Sequence, residues 1–274
     1  MKRIKRLAAD HPLTFSVVMT LILILMVIIS SVVASAIGPG ETSGWYLAST
    51  AGRLVTVIIL LVFLSLMGWL GPAGFTRLGN WRAWLVCLLA LLYIIPASAY
   101  AMTRNLSFGS TDLALTGAAA VFIMIHAFLE EVVFRGLVLY AMISAWGSTK
   151  TGITKSVLVS SLLFGCYHLF YLLGGEPFMM VLLRMVVAFL LGIFLAALVL
   201  LGSSIYPAVL FHGLLNLAGY LNLTSSGNQE NVTGWLFLSL AMLPLAVLGF
   251  YLLRDVPRHS SAPQPVRPVR GSVP

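Results

Sequence analysis

Long apolar runs alternate along the chain with short stretches that contain charged residues, glycine and proline. Most runs hold about 20 residues, the length at which an α-helix crosses the hydrocarbon core of a bilayer. The pattern predicts helices at 15–37, 54–70, 84–101, 113–146, 153–173, 179–201, 206–223 and 235–253. The predicted fold class is therefore all-α, a polytopic membrane helix bundle of about eight transmembrane helices.

Composition supports a membrane protein and excludes an ordinary soluble domain. Of the 274 residues, 60% are hydrophobic and only 9% are charged, and the mean hydropathy is +1.02. We predict a single membrane domain at 15–253, between a basic N-terminus at 1–14 and a tail at 254–274. The tail is rich in proline, serine and arginine and lacks apolar periodicity, so it is predicted to be disordered.

The first apolar run resembles a signal peptide, because basic residues precede it and Ala34, Ser35 and Ala36 resemble a cleavage site. Its apolar core exceeds the roughly 7 to 15 residues typical of signal peptides, which favours an uncleaved helix. The two cysteines, Cys87 and Cys166, lie in apolar spans and indicate no disulfide framework.

Charge is distributed unevenly between the predicted loops. The net charge is +8, and if the N-terminus lies inside, only Arg53 and Arg104 among the basic loop residues fall outside. Most acidic loop residues fall outside, namely Glu41, Asp112, Glu176 and Glu230. The positive-inside rule therefore predicts a multi-pass protein of the cell membrane with both termini in the cytoplasm. Because the basic residues mark topology, no nucleic-acid partner is predicted.

A cluster of charges interrupts the fourth predicted helix. Glu131 and Arg135 are one helical turn apart and can form an ion pair, whereas Glu130 lies about 100° round the helix and is left without that partner. A charge at the centre of such a helix costs about 2.5 to 3.5 kcal/mol on insertion scales, so it usually serves a function. We predict that Glu130 faces a cavity as a general base. The alternative is a structural ion pair, and His126, one turn earlier, can either bond Glu130 or simply pack.

Two later helices carry polar groups at helical spacing. Phe164 and His168 are four residues apart in the fifth predicted helix, and His212 and Asn216 are four apart in the seventh. Residues at this spacing share a helix face, so the three motifs together predict one shared cavity. A lone histidine of this kind is more often an interhelical hydrogen-bond partner, and Arg184 is expected to reach the membrane interface.

Several familiar intramembrane proteases lack support. The chain has no His-Glu-x-x-His zinc motif, no Gly-x-Ser-x-Gly nucleophile turn and no pair of transmembrane aspartates. Cys166 and His168 point about 200° apart on a helix, so a thiol dyad is not predicted.

The three motifs resemble the CPBP family, which comprises CAAX prenyl proteases and bacteriocin-processing or immunity-type membrane proteins and is also called the ABI family. The family pattern is Glu-Glu-x-x-x-Arg, Phe-x-x-x-His and His-x-x-x-Asn on three helices, and the motifs above meet it once, in order. The resemblance covers 118–219. It implies an intramembrane endopeptidase that cleaves a membrane-associated peptide or protein.

The resemblance also implies residue roles. Glu130 and His168 would activate a water for attack on the scissile carbonyl, and His212 and Asn216 would stabilise the oxyanion. Three residues would support this site: Glu131, Arg135 and Phe164. No cofactor is needed, and the alternative is zinc held by Glu130, His168 and His212. No further carboxylate is apparent that would orient either imidazole, which favours the metal-free mechanism.

Two other functions stay open. One is a non-catalytic membrane scaffold or bacteriocin-immunity protein of the same family, and the other is a proton-coupled transporter in which Glu130 and the histidines form a relay. Intact motifs favour the enzyme over the scaffold. The absence of paired, interrupted helices in the sequence speaks against the transporter.

Overall fold

The computed structural model describes residues 1–40, 42–103, 112–226 and 231–258. Within these ranges the regular structure is entirely helical, which confirms the all-α fold class. The α-helices are α1 Lys2–Asp10, α2 Pro12–Ile37, α3 Ser43–Met67, α4 Trp81–Thr103, α5 Leu113–Glu131, α6 Tyr140–Trp146, α7 Lys150–Tyr167, α8 Phe178–Gly202, α9 Tyr206–Ser226 and α10 Val232–Leu252.

Seven segments of the described chain are long and apolar enough to cross a membrane. They are Pro12–Ile37, Ser43–Met67, Trp81–Ser98, Leu113–Trp146, Lys150–Gly174, Phe178–Gly202 and Val232–Leu252. Each overlaps one predicted span. The eighth predicted span, 206–223, falls on α9, which has 21 residues. The protein is therefore a multi-pass membrane protein built as a helical bundle.

The second span begins earlier than predicted. Helix α3 starts at Ser43 because Thr42 caps it, with the Thr42 hydroxyl accepting a hydrogen bond of 3.3 Å from the Trp45 amide. Arg53 consequently lies inside the helix and is only 3% exposed. The prediction that Arg53 is an external loop residue is wrong, because internal partners allow this charge to lie within a helix.

A π-helix interrupts the fourth span. Helix α5 ends at Glu131, a π-helical segment covers Val132–Leu139, and α6 completes the span. The wider π turn rotates the following side chains relative to a continuous α-helix, so the predicted single helix at 113–146 is corrected. All eight π-helical residues are buried. The segment therefore forms part of the bundle core.

The connections form two opposite ends of the bundle, because successive spans run in opposite directions. The end that we name the basic face contains α1, residues 68–80 and the turns at 147–149, 203–205 and 253–256. Hydrogen bonds join these connections, since Asn80 donates to the Leu201 carbonyl at 2.7 Å. The end that we name the acidic face contains residues 38–40, 42, 112, 174–177 and 231.

The two predicted terminal segments are partly ordered. The basic N-terminus contains α1, whose Ala8 is buried. At the other end, Lys150 donates a 2.8 Å hydrogen bond to the Arg254 carbonyl, and Val256 is buried. The remaining tail, 259–274, for which disorder was predicted, lies outside the described residues.

Glycines allow α7 and α8 to approach closely. A Cβ added to Gly192 would lie 2.9 Å from the Ser161 Cβ, and one added to Gly165 would lie 2.9 Å from the Met185 carbonyl oxygen. Small residues at such crossings are typical of membrane helix packing. The close crossing holds Phe164 against the core of the bundle.

Candidate active site

One cavity brings the predicted polar residues together. Its volume is about 340 Å³, and its walls include Glu130, His168, His212 and Asn216. Much of the remaining wall is apolar and includes Phe122, Ile123, Val187, Leu191, Leu215 and Leu238. Three sequence motifs that lie far apart in the chain therefore meet at one place between α5, α7, α8 and α9.

Two histidines contact the Glu130 carboxylate. Oε1 lies 3.1 Å from His126 Nε2, and Oε2 lies 3.4 Å from His212 Nε2. The first contact follows from the one-turn spacing on α5, whereas the second comes from α9. Glu130 is thus not the carboxylate without a partner that the sequence predicted.

Arg53 fixes the hydrogen bonding of His126. The Arg53 Nε donates to His126 Nδ1 at 3.2 Å. Since an arginine can only donate, Nδ1 accepts and the imidazole proton is assigned to Nε2, which donates to Glu130. Arg53 itself also donates to the Ser30 hydroxyl at 3.1 Å and to the Ser49 carbonyl at 3.2 Å. No sequence pattern indicates this role of Arg53, because no spacing rule relates α3 to α5.

The predicted ion pair between Glu131 and Arg135 is present. Arg135 Nη1 lies 3.0 Å from Glu131 Oε1, and both side chains are almost completely buried. The guanidinium lies over the Phe164 ring, with 4.6 Å from Cζ to the ring centroid. Within the described chain, Glu131 Oε2 and Arg135 Nε have no hydrogen-bond partner. The pair is therefore held largely by charge and stacking.

His212 lies between the two glutamates. Its Nδ1 is 2.9 Å from Glu131 Oε1, whereas its Nε2 is 3.4 Å from Glu130 Oε2. Carboxylates only accept hydrogen bonds, so a ring that carries protons on both nitrogens satisfies both contacts. The expectation that no carboxylate orients an imidazole is wrong, because Glu131 performs this role across helices.

His168 begins a 3₁₀-helical segment, His168–Gly174, that continues α7, and the last turn of α7 orients its ring. Its Nδ1 lies 2.9 Å from the Phe164 carbonyl oxygen. A carbonyl only accepts, so Nδ1 donates and Nε2 of the neutral ring is the acceptor. The Phe164 ring meets His168 and His212 edge-on, with centroid distances of 5.3 and 5.6 Å. Phe164 therefore connects the second motif to the other two.

Asn216 and Arg184 line the same cavity from two further helices. Asn216 follows His212 by one turn of α9, and its side chain is exposed. Arg184, which was expected at the membrane interface, pairs with Glu176 on the acidic face at 3.2 Å and also lines the cavity wall. The guanidinium lies over the Tyr171 ring, 4.4 Å from its centroid.

Part of the chain matches a known family of membrane proteases. Residues 112–218 match the family model described as Type II CAAX prenyl endopeptidase Rce1-like. The matched segment contains all three motifs, which confirms the predicted resemblance. No curated protein and no solved structure matches the chain. Arg53 lies on α3, outside the Rce1-like segment, although it contacts His126 within it.

The Rce1-like segment does not present the predicted alternative zinc ligands in a suitable arrangement. Among the described residues, no three His, Cys, Asp or Glu side chains are placed to share a metal ion. Glu130, His168 and His212 line one cavity, but each ring nitrogen of His212 faces a carboxylate oxygen. A neutral His212 that donates from Nδ1 to Glu131 would keep a lone pair on Nε2. It is therefore the spacing of the three side chains that does not suit a shared ion.

Proposed function

We propose that the protein is an intramembrane endopeptidase in which Glu130 and His168 activate a water molecule for attack on a peptide bond. The observation that carries this proposal is the convergence of four polar side chains in one cavity among membrane-spanning helices. The Rce1-like match over 112–218 supports the reaction class. The substrate is a membrane-associated peptide or protein.

Glu130 and His168 provide the proton acceptors. Each carboxylate oxygen has two lone pairs, so Glu130 can accept from a water in addition to its contacts with His126 and His212. The Nε2 of His168 is the second acceptor at the cavity. A positioned general base contributes about 10²- to 10⁴-fold to a rate. The water oxygen attacks the carbonyl carbon while its proton passes to one of these acceptors.

His212 and Asn216 provide donors for the oxyanion. The 3.4 Å separation of His212 Nε2 from Glu130 exceeds the usual 2.7 to 3.2 Å of an N–H···O hydrogen bond, so this donor can turn to a substrate oxygen. The Asn216 amide supplies a second N–H from the same helix face. When the C–N bond breaks, the proton taken from water passes to the leaving amine.

Arg53 and Arg135 balance the two buried carboxylates. A buried charge without a partner is strongly destabilising. The structure places one arginine on each side of the Glu130 and Glu131 pair, with Arg53 acting through His126 and Arg135 directly on Glu131. The two carboxylates and the two guanidiniums therefore share the interior of the bundle with the doubly protonated ring of His212. In this proposal Arg53 and His126 position Glu130.

We also propose that the basic face is cytoplasmic and that the protein resides in the cell membrane. Among the described residues, ten basic side chains lie on or next to this face: Lys2, Arg3, Lys5, Arg6, Arg77, Arg82, Lys150, Lys155, Arg254 and Arg258. The acidic face has Asp112 and Glu176, and Glu176 is paired with Arg184. The positive-inside rule favours this orientation.

The proposed activity can be tested with full-length protein in proteoliposomes. The probe is a pool of lipid-tethered peptides that become fluorescent on cleavage. Glu130→Gln removes the carboxylate base with little change in shape, and we expect cleavage to fall by about 10²- to 10⁴-fold. The matched control is Asp10→Asn, which removes an exposed carboxylate on the basic face and should leave the rate unchanged.

Two outcomes would contradict the proposal. A Glu130→Gln protein as active as the unaltered chain would exclude the general base. Folded, unaltered protein that cleaves no peptide in the pool would favour the non-catalytic scaffold instead.

A further inference from the structure

The cavity is closed towards one end of the bundle. From Glu131 the chain continues towards the basic face as the π-helical segment, and every residue of Val132–Leu139 is buried. The Phe134 ring packs against Phe164, with 5.0 Å between ring centroids. These packed side chains separate the polar cluster from the basic face.

The cavity extends towards the other end. Its lining includes Ser98 near the end of α4, Arg184 near the start of α8 and Trp235 near the start of α10. All three positions belong to the helix ends at the acidic face. Gly219 also lines the cavity, about 10 Å beyond His212 along α9 at 1.5 Å per residue. The lining thus runs from Glu130 in the interior towards the acidic face.

Together, the direction of the cavity and the distribution of charge determine the side of access. We propose that the substrate enters from the acidic face, and that it is therefore a peptide segment presented on the non-cytoplasmic side of the membrane. This inference rests on the proposed endopeptidase function and on the proposed orientation. It adds to them the compartment in which the scissile bond lies.

The proposal restricts the substrate class. A lipid-modified C-terminus held at the cytoplasmic leaflet would have to pass the packed π-helical segment to reach Glu130. A segment anchored in the membrane with its cleavage site in the outer half would reach the cavity without crossing that barrier. The candidates are accordingly membrane-anchored peptides or proteins with an extracytoplasmic cleavage site, whether or not the anchor is a lipid.

Cysteine labelling in intact cells tests the side of access without requiring activity. The background variant is Cys166→Ser, which removes the half-buried thiol. Cys87 is kept, because it is fully buried and should not react. Gly219→Cys places the thiol in the cavity, and a Cβ at this glycine meets no atom within 4 Å. Gly174→Cys reports the acidic face with equal space, and Gly71→Cys reports the basic face with only Thr76 Oγ1 at 3.7 Å.

A membrane-impermeant maleimide is added to cells before and after permeabilisation. We expect Gly219→Cys and Gly174→Cys to react in intact cells, and Gly71→Cys to remain at background until the membrane is opened. If Gly219→Cys reacted only after permeabilisation, as is expected for Gly71→Cys, the proposal would be overturned. Reaction of Gly219→Cys with a permeant maleimide alone would also overturn it, because the cavity would then open to lipid.

A second measurement separates this inference from the proposed function. Quenched peptides tethered to the outer leaflet are offered to right-side-out vesicles, and peptides tethered to the opposite leaflet are offered to inverted vesicles. Cleavage only in right-side-out vesicles supports both proposals. Cleavage only in inverted vesicles overturns the side of access, whereas absence of cleavage in both, with outside labelling of Gly219→Cys, overturns only the endopeptidase.

Discussion

Glu130 and Glu131 are neighbours in sequence but belong to two different regions of the molecule. Glu131 lies in the sealed region, where Arg135 pairs with it and its side chain has no exposed surface. Glu130 lies at the wall of the cavity and contacts two imidazoles. The adjacent positions therefore direct identical side chains into different surroundings.

Under the proposed function, the type of partner distinguishes the structural carboxylate, Glu131, from the reactive one, Glu130. A guanidinium holds Glu131 through a full opposite charge, and the Glu131 side chain has no exposed surface. Glu130 is held by ring nitrogens, which can also exchange protons. His212 contacts both glutamates and links the two regions.

Disruption of the ion pair in the sealed region should have the greatest consequence. Glu131→Gln leaves the Arg135 charge buried without its counter-ion, and breaking a buried pair in this way costs about 3 to 5 kcal/mol. We expect a large loss of folded protein, measured as the monodisperse fraction after heating in detergent. Glu130→Gln should keep most of its folded fraction, because Glu130 contacts two imidazoles and has no direct contact with a guanidinium.

A double variant provides the control for that effect. Adding Arg135→Met to Glu131→Gln removes both charges, so a substantial part of the lost stability should return. If the double variant were no more stable than Glu131→Gln alone, the ion pair would not be the cause of the loss.

A second variant tests the proposed oxyanion donor in the cavity. Asn216→Ala removes one proposed oxyanion donor, and such a loss commonly lowers kcat by about 10²- to 10³-fold. We expect KM to change less, because the donor acts mainly in the transition state. Asn216→Ser keeps a hydrogen-bond donor and should retain more activity. Equal kcat values for the Ala variant and the unaltered chain would remove Asn216 from the mechanism.

A smaller effect tests the link from α3 to the cavity region. Arg53→Met removes the donor that holds His126 in one tautomer. A hydrogen bond to a charged group contributes about 1.5 to 3 kcal/mol, so kcat/KM should fall roughly 10- to 100-fold. The pH profile of kcat/KM should also change shape, because His126 Nδ1 becomes free to take a proton. Arg53→Lys should recover part of the rate, and an unchanged profile would indicate a purely structural role.

The smallest expected effect concerns metal removal. The mechanism proposed for the cavity activates water with Glu130 and His168 and needs no metal ligand. Activity should stay constant in a strong chelator, and metal analysis should find no stoichiometric transition metal. About one zinc per chain, with loss of activity on chelation and recovery with zinc, would contradict this expectation.

Much of the site could be predicted because its motifs are local. Helical spacing is enough to pair Glu131 with Arg135 and to place His212 and Asn216 on one face of α9. The runs of apolar residues likewise predict the spans. These features depend only on residues within one turn, or on composition over about 20 residues.

The remaining features arise from contacts between helices. Arg53 was assigned to a loop because a charge normally ends a hydrophobic run, and its serine and histidine partners lie on other helices. The π-helical segment has no sequence pattern that distinguishes it from an α-helix. The contact of Glu131 with His212 joins positions 81 residues apart, and no local rule relates them.

The position of Arg53 limits how far the Rce1-like segment can act as an independent module. A fragment that began at residue 112 would keep every motif, but it would leave His126 Nδ1 without the guanidinium of α3. Grafting the same segment onto other membrane helices would require an equivalent donor at that depth. Helix α3 therefore completes the hydrogen bonding of a residue on α5, and we expect that exchanges of segments between relatives must keep α3 and α5 together.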